Sequence, residues 1–305
     1  VFSMIATGMN GFINAQGFPG VGMLTIILGA VLNVILDPIM ILWFGWNITG
    51  AAIATVFAQA VSVLISLLII KKRELPFTFS VKDIRAKGAY IKEILKLGTP
   101  IALQDVLVGI SFLAIIAIVN DLGLTESAGV GVANKVCAFL MLIPASYMQA
   151  MSAFVAQNIG AQKPERARKA LWCGIASSLV VGVVMAYITF FHGDLLAGIF
   201  AKDTDVILAS ADYLRAYAID CILTSFLFCF IGYFNGLGST TFVMIQGIIS
   251  AIGIRLPISW LMSKLVPTSL FRIGLATPAS TIVQIILCGI YFVIVLRRQK
   301  NRRLN

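Results

Sequence analysis

The feature that most constrains this chain is a succession of apolar runs, each of about twenty residues or more, separated by short polar gaps. They cover residues 21–44, 50–70, 97–120, 128–157, 171–191, 206–234, 242–262 and 273–296. In hydrocarbon every backbone N–H and C=O must be satisfied within the protein, and an unbroken run of this length does so as a helix. The expected fold is therefore an all-α polytopic membrane protein with eight complete spans. Residues 1–18 read as the tail of a further spanning helix already under way, with neither an initiating Met nor a signal-peptide n-region, so spans are expected upstream of Val1. Composition agrees: 59% of the 305 residues are hydrophobic and 12% are charged, against roughly 45–50% and 25% in soluble domains.

The net charge of +10 would ordinarily raise nucleic acid as a partner. Placed along the chain, however, most of the basic residues fall into three gaps that share one side if the spans alternate. These are Lys71–Lys96, Lys163–Lys169 and the tail after Arg297. Opposite-side gaps hold only Lys202, Lys264 and Arg272. This asymmetry follows the positive-inside rule. It predicts a cytoplasmic C-terminus and a multi-pass protein of the plasma membrane, and it leaves nucleic-acid binding without support. The five cysteines are scattered through apolar runs without a paired motif, and His192 is the sole histidine. Neither a disulfide framework, a zinc site nor a His-based catalytic centre is signalled.

The longest polar connection divides the chain. Between Lys71 and Lys96, Ile84, Ile91, Ile94 and Leu95 alternate with lysines in a pattern expected of a short amphipathic helix on the cytoplasmic surface. The organisation read from this is part of a first lobe over 1–72, a linker over 73–96, a second lobe over 97–298 and a basic tail over 299–305. An internal repeat supports it. Phe12-Ile13-Asn14-Ala15-Gln16-Gly17 resembles Tyr233-Phe234-Asn235-Gly236-Leu237-Gly238, and each string precedes a span with an internal proline, Pro38 or Pro257. The offset of about 220 residues suits two bundle halves of similar order.

Polar groups within the spans are the functional candidates, because an ionised group at bilayer depth costs roughly 2.5–3.5 kcal/mol on insertion scales. Asn33 and Asp37, four apart, share one helix face. Pro38 removes a backbone donor and crowds the Val34 carbonyl, so a kink beside the carboxylate is expected. With a nearby Thr hydroxyl the set offers hard oxygen ligands suited to H⁺ or Na⁺. Asp220 lies near the middle of its span, and Arg255 lies mid-span just before Pro257, where a second kink is expected. A structural ion pair and a role in substrate or proton binding are both open for these two. Asp105 falls nearer the inner end of its span, and Gln149 and Gln284 are candidates either for a cavity wall or for hydrogen bonds between helices.

Several strings together resemble the multidrug and toxic compound extrusion (MATE) family of transporters. Leu32-Asn33, Asp37-Pro38 and Gly50-Ala51-Ala52-Ile53-Ala54-Thr55 are similar to its fifth and sixth spans. Gly98-Thr99-Pro100-Ile101-Ala102-Leu103 is similar to the start of its seventh span, and Gln157-Asn158-Ile159-Gly160-Ala161-Gln162 with Arg166-Ala167 to the loop after its eighth. The resemblance implies a two-lobe bundle of twelve spans, of which about eight and a half are present here. It further implies efflux of amphipathic or cationic compounds against inward H⁺ or Na⁺, with no cofactor. Carried over residue by residue, it implies a first-lobe cation site of Asn33, Asp37 and Thr55, with Asn10 as a fourth polar member. The acids that other members carry in the second lobe would align near Val108 and Thr224, so Asp105 and Asp220 are each displaced by about one turn.

The rival reading is a related lipid-linked saccharide flippase, whose pyrophosphate cargo calls for a cavity ringed by arginines. Arg255 alone lies well inside a span, which favours efflux. A membrane-embedded enzyme would need a clustered acid/base or metal constellation, and the expectation is that the protein is not an enzyme. The expected partners are an amphipathic or cationic small molecule and membrane lipids, and a monomer is the expected state.

Overall fold

The computed structural model describes residues 2–72, 88–265 and 269–304. Among them, eight helices are long and apolar enough to cross a membrane. The chain divides into two compact units, Val1–Ala86 and Lys87–Asn305.

In the first unit α1 (Phe2–Ala15) leads through a turn into α2 (Pro19–Pro38), whose first-turn proline suits a position where no backbone donor is needed. The helix continues as a π-helical turn, Ile39–Trp43, in which the Phe44 N–H reaches back five residues to the Ile39 carbonyl at 3.2 Å. A π-helical turn thus begins directly after Pro38, next to the Asp37 carboxylate beside which a kink was expected. The long helix α3 (Asn47–Lys72) returns against both. Small residues permit this approach: a side-chain carbon at Gly50 would stand 3.0 Å from the Met40 carbonyl oxygen. Lower down, Ser62 donates to the Thr25 carbonyl at 3.0 Å.

The second unit holds six of the spanning helices. They are α4 (Gly88–Asn120), α5 (Leu124–Gly160), α6 (Pro164–Phe191), α8 (Thr204–Gly236), an interrupted span, and α12 (Ala276–Leu304). The interrupted span comprises α9 (Thr240–Ile248), a π-helical stretch Ile249–Arg255, and α10 (Leu256–Ser263). Short helices α7 (Gly193–Gly198) and α11 (Leu270–Gly274) precede α8 and α12. The π stretch ends two residues before Pro257, which has no N–H for the carbonyl of Gly253, so the widened turn sits where α-helical pairing already fails. One expectation is corrected here. Ile91, Ile94 and Leu95 belong to the first turns of α4 rather than to a separate surface helix. Ile84 and the rest of the linker over 73–87 lie outside the described residues, as do the side chains of the basic tail.

The most buried helix is α8, and α5 packs along it closely because Gly232 and Gly236, one turn apart, present no side chain there. A carbon added at Gly236 would lie 2.7 Å from both the Ser152 carbonyl oxygen and Val155 Cβ. Between membrane helices the drive is close packing rather than water exclusion, and small residues four apart supply it. Gly182 of α6 does the same against Ser225 and Cys221 of α8, where Ser225 donates to the Ser178 carbonyl at 3.1 Å. One end of this unit is filled by aromatics: Phe242 and Tyr291 stack with ring centroids 3.8 Å apart, and Phe234 meets both edge-on.

Candidate functional site

In the first unit α2 and α3 bring Asn33, Asp37 and Thr55 together. Residues 33 and 37 stack on one face of α2, and the side-chain amide of Asn33 lies between the Asp37 carboxylate and the Thr55 hydroxyl. Hydrogen bonding is satisfied with the amide nitrogen turned to Asp37, 2.9 Å from each carboxylate oxygen. The other side of the amide is then 3.4 Å from Thr55 Oγ1. Thr55 donates to the Ala51 carbonyl one turn back, at 2.9 Å. All three side chains are half-buried. The group is therefore a carboxylate, a rotatable amide, a hydroxyl and a backbone carbonyl, immediately before the π-helical turn.

Asn10 is not a member. It accepts from Thr25 Oγ1 at 2.9 Å, and Thr25 lies eight residues before Asn33, or about 12 Å along the helix. With Thr25 and Ser62 it forms a separate buried polar cluster that ties α1, α2 and α3 together. Asn10 entered by analogy of position alone, and its distance from the other three follows from where the short α1 crosses α2.

The second unit gathers a different set. Arg255, 5% exposed, donates through Nη1 to Ser111 Oγ of α4 at 3.2 Å and through Nε to Ser280 Oγ of α12 at 3.3 Å. Its guanidinium carbon sits 4.6 Å from the centroid of the Phe112 ring. Gln284 joins from one turn further along α12, donating to Ser250 Oγ at 2.8 Å, and Ser250 in turn donates to the Ser280 carbonyl at 2.9 Å. Asp220, 3% exposed, does not form a direct ion pair with Arg255. The Thr281 hydroxyl faces it, Arg255 acts on it from farther off, and its Oδ1 is buried without a hydrogen-bond partner. The alternative of a contacting ion pair is thereby corrected: serines and an aromatic face hold the guanidinium instead. Asp105 and Gln149 lie outside this network, exposed on α4 and α5.

Ser111, Phe112, Ser250 and Ser280 were not among the sequence candidates. A signal for one wall was present, since Thr277, Ser280, Thr281 and Gln284 recur at helical spacing along one face of an otherwise apolar span. Among the described residues no cluster of three or more His, Cys, Asp or Glu could hold a metal ion.

Comparison with known proteins adds the family. The MatE family model matches residues 100–261, more than half of the chain. The probable multidrug resistance protein YoeA of Bacillus subtilis (strain 168) is 25% identical over 301 residues, covering 96% of this chain and 65% of that protein. The multidrug export protein MepA of Staphylococcus saprophyticus is 26% identical over 242 residues, covering 78% of this chain and 53% of that one. The chain thus spans between half and two thirds of the length of these relatives. In fold it is similar to a crystal structure of MATE in complex with MaL6, with a TM-score of 0.90 at 19% identity, covering 98% of this chain and 68% of that one. An outward-facing multidrug resistance MATE transporter gives 0.88 at 19% identity over 95% of this chain and 65% of that one. Spanning helices, their order and the profile match agree, and the chain belongs to the multidrug and toxic compound extrusion family.

Proposed function

We propose that the protein is a secondary active efflux transporter that exports amphipathic or cationic compounds from the cytoplasm, driven by inward H⁺ or Na⁺. The observation that carries the reading is the Asn33 amide poised between Asp37 and Thr55. An amide nitrogen 2.9 Å from both carboxylate oxygens occupies the place a cation would take. When the coupling ion arrives, the amide turns so that its oxygen joins the carboxylate and the Thr55 hydroxyl as a hard ligand. An arriving proton instead makes one carboxylate oxygen a donor, and the same turn lets the amide oxygen accept it. Either event offsets the negative charge and exchanges the hydrogen bonds that hold α2 beside its π-helical turn, so the turn is free to rewind. That local change in bend is the step that closes the first-lobe cavity and displaces the drug outward, and loss of the ion to the cytoplasm resets it.

In the second unit Asp105 and Gln149 are exposed and available to a substrate, whereas the Arg255 network fixes the packing of α4, the π stretch and α12. Buried charges bonded on several sides exchange their partners with difficulty. The membrane orientation is that of the basic loops, with the C-terminus in the cytoplasm of the cell.

The test is ethidium efflux from everted vesicles containing the full-length protein, with pH and Na⁺ gradients imposed separately. Wild type should follow one gradient, and Asp37→Asn should lose at least tenfold of the gradient-driven rate while expressing normally. Equal pumping by both proteins would sink the first-unit coupling site. No movement of ethidium under either gradient would reject the efflux reading itself.

A further inference from the structure

Between α5 and α6 the chain turns tightly through Ala161, Gln162 and Lys163. The turn is fixed by backbone bonds, from the Gln162 N–H to the Ile159 carbonyl at 3.0 Å and from the Lys163 N–H to the Asn158 carbonyl at 2.8 Å. Beside it is an open hollow of about 430 Å³ lined by Gln162, Lys163, Pro164, Glu165, Arg166 and Lys169. Neither the cavity nor its cations take part in the efflux reading above.

Three features define what would fit there. Charge comes first: residues 163–169 carry four cations and one carboxylate, and that carboxylate, Glu165, is turned to Arg168 at 3.6 Å. Lys163, Arg166 and Lys169 are left facing the hollow, exposed and without a carboxylate partner among the described residues. Preorganisation is second, because the fixed turn sets Lys163 in place, and the Arg166 guanidinium rests over the Phe154 ring, 5.7 Å from its centroid. The third is depth. The apolar stretch of α6 begins at Ala170 and Leu171, directly after Lys169, and Trp172 is 55% exposed at that level. An exposed Trp with basic residues one turn outward marks the boundary between hydrocarbon and headgroups. The cations therefore stand where phospholipid phosphates lie.

We infer that this hollow is a binding site for the phosphate of an anionic phospholipid headgroup, held by Lys163, Arg166 and Lys169, with the acyl chains running along the exposed apolar face of α6 that starts at Trp172. Arg166 supplies a planar donor fork for two phosphate oxygens, and the two lysines supply mobile point charges on either side. A free phosphate ion shares the headgroup chemistry but gains nothing from the apolar face, so the lipid is the favoured occupant. Basic pockets at the cytoplasmic ends of spanning helices recognise such headgroups by this combination of charge and depth.

The experiment uses the full-length protein purified in neutral detergent, titrated with dioctanoyl phosphatidylglycerol, dioctanoyl phosphatidylcholine and inorganic phosphate, with binding read by native mass spectrometry and by thermal shift. Wild type should bind phosphatidylglycerol at least tenfold more tightly than either other probe. The variant K163Q/R166Q/K169Q should lose that preference, while K202Q/K264Q, altered in other connections of the same unit, should retain it. Because a triple substitution in a turn can impair folding, E165Q provides a second reading: removing the lone carboxylate frees Arg168 and should tighten phosphatidylglycerol binding two- to fivefold. The inference is overturned if the triple variant binds phosphatidylglycerol as wild type does, if E165Q leaves binding unchanged or weakens it, or if inorganic phosphate competes at the lipid's own concentration.

Discussion

Both units place a charged residue beside a π-helical stretch and a proline, and they treat the charge in opposite ways. In the first, Asp37 precedes Pro38 and the turn Ile39–Trp43, is half-buried, and meets a single amide that can rotate. In the second, Arg255 closes the stretch Ile249–Arg255, is buried, and is held by hydroxyls from two other helices and by an aromatic face. A group that exchanges an ion has to be reachable and has to have a partner able to turn away. One bonded across three elements instead sets how those elements are rotated against each other. The same local device, a widened turn next to a proline, thus lies beside an accessible carboxylate in one unit, where the proposed exchange would occur, and beside a sealed guanidinium in the other.

The largest expected effect tests the sealed side of this contrast. Arg255→Leu removes the guanidinium's two hydrogen bonds to Ser111 and Ser280 and the cation nearest Asp220, and bonds to a charged group contribute about 1.5–3 kcal/mol each. The double variant R255L/D220N should recover more than half of that loss, read as the detergent-solubilised unfolding temperature. If the double variant is no better than R255L, Asp220 and Arg255 do not share a network. Next comes the packing that encloses it. Gly236→Val forces a side chain into the Ser152 carbonyl of α5 and should cost about 1–3 kcal/mol. Gly29→Ala in the first unit meets Ser62 Cβ at an ordinary 3.4 Å and should stay within about 0.5 kcal/mol. Equal losses at the two glycines would erase the difference in packing between the units. The smallest effect probes the open side. Thr55→Val removes one hydroxyl contact, about 0.5–1.5 kcal/mol or roughly two- to tenfold. It should raise the ion concentration for half-maximal efflux by that factor with no change in unfolding temperature. A shift in stability instead would make Thr55 a packing residue.

How much was legible in the sequence differs between the two regions for a physical reason. The pairing of Asn33 with Asp37 is set by a spacing of four within one helix, so it could be read from the order of residues. Thr55 was placed at the same site by the family resemblance, and the close approach of α3 at Gly50 brings it there. Asn10, in contrast, depends on where one helix crosses another, and no spacing within α1 carries that information. Arg255 and Asp220 were both read as intramembrane charges, yet their partners are a serine 144 residues earlier in the chain and hydroxyls on α12. The polar stripe of α12 was visible as a period, but not which helix it would face.

Order and length of the spanning helices, the two halves and the shared Asn33/Asp37 face were thus determined by the sequence alone, because burying a backbone in hydrocarbon and stacking residues four apart are local requirements. Tertiary structure decided the rest. It continued α4 upstream through residues expected to lie on the membrane surface, separated Asn10 from the site, gave α2 a π-helical turn after Pro38, and held Asp220 and Arg255 apart. Each of these depends on the rotation and slide of one helix against another, which are fixed only when all the small residues, hydroxyls and aromatics of a unit pack at once.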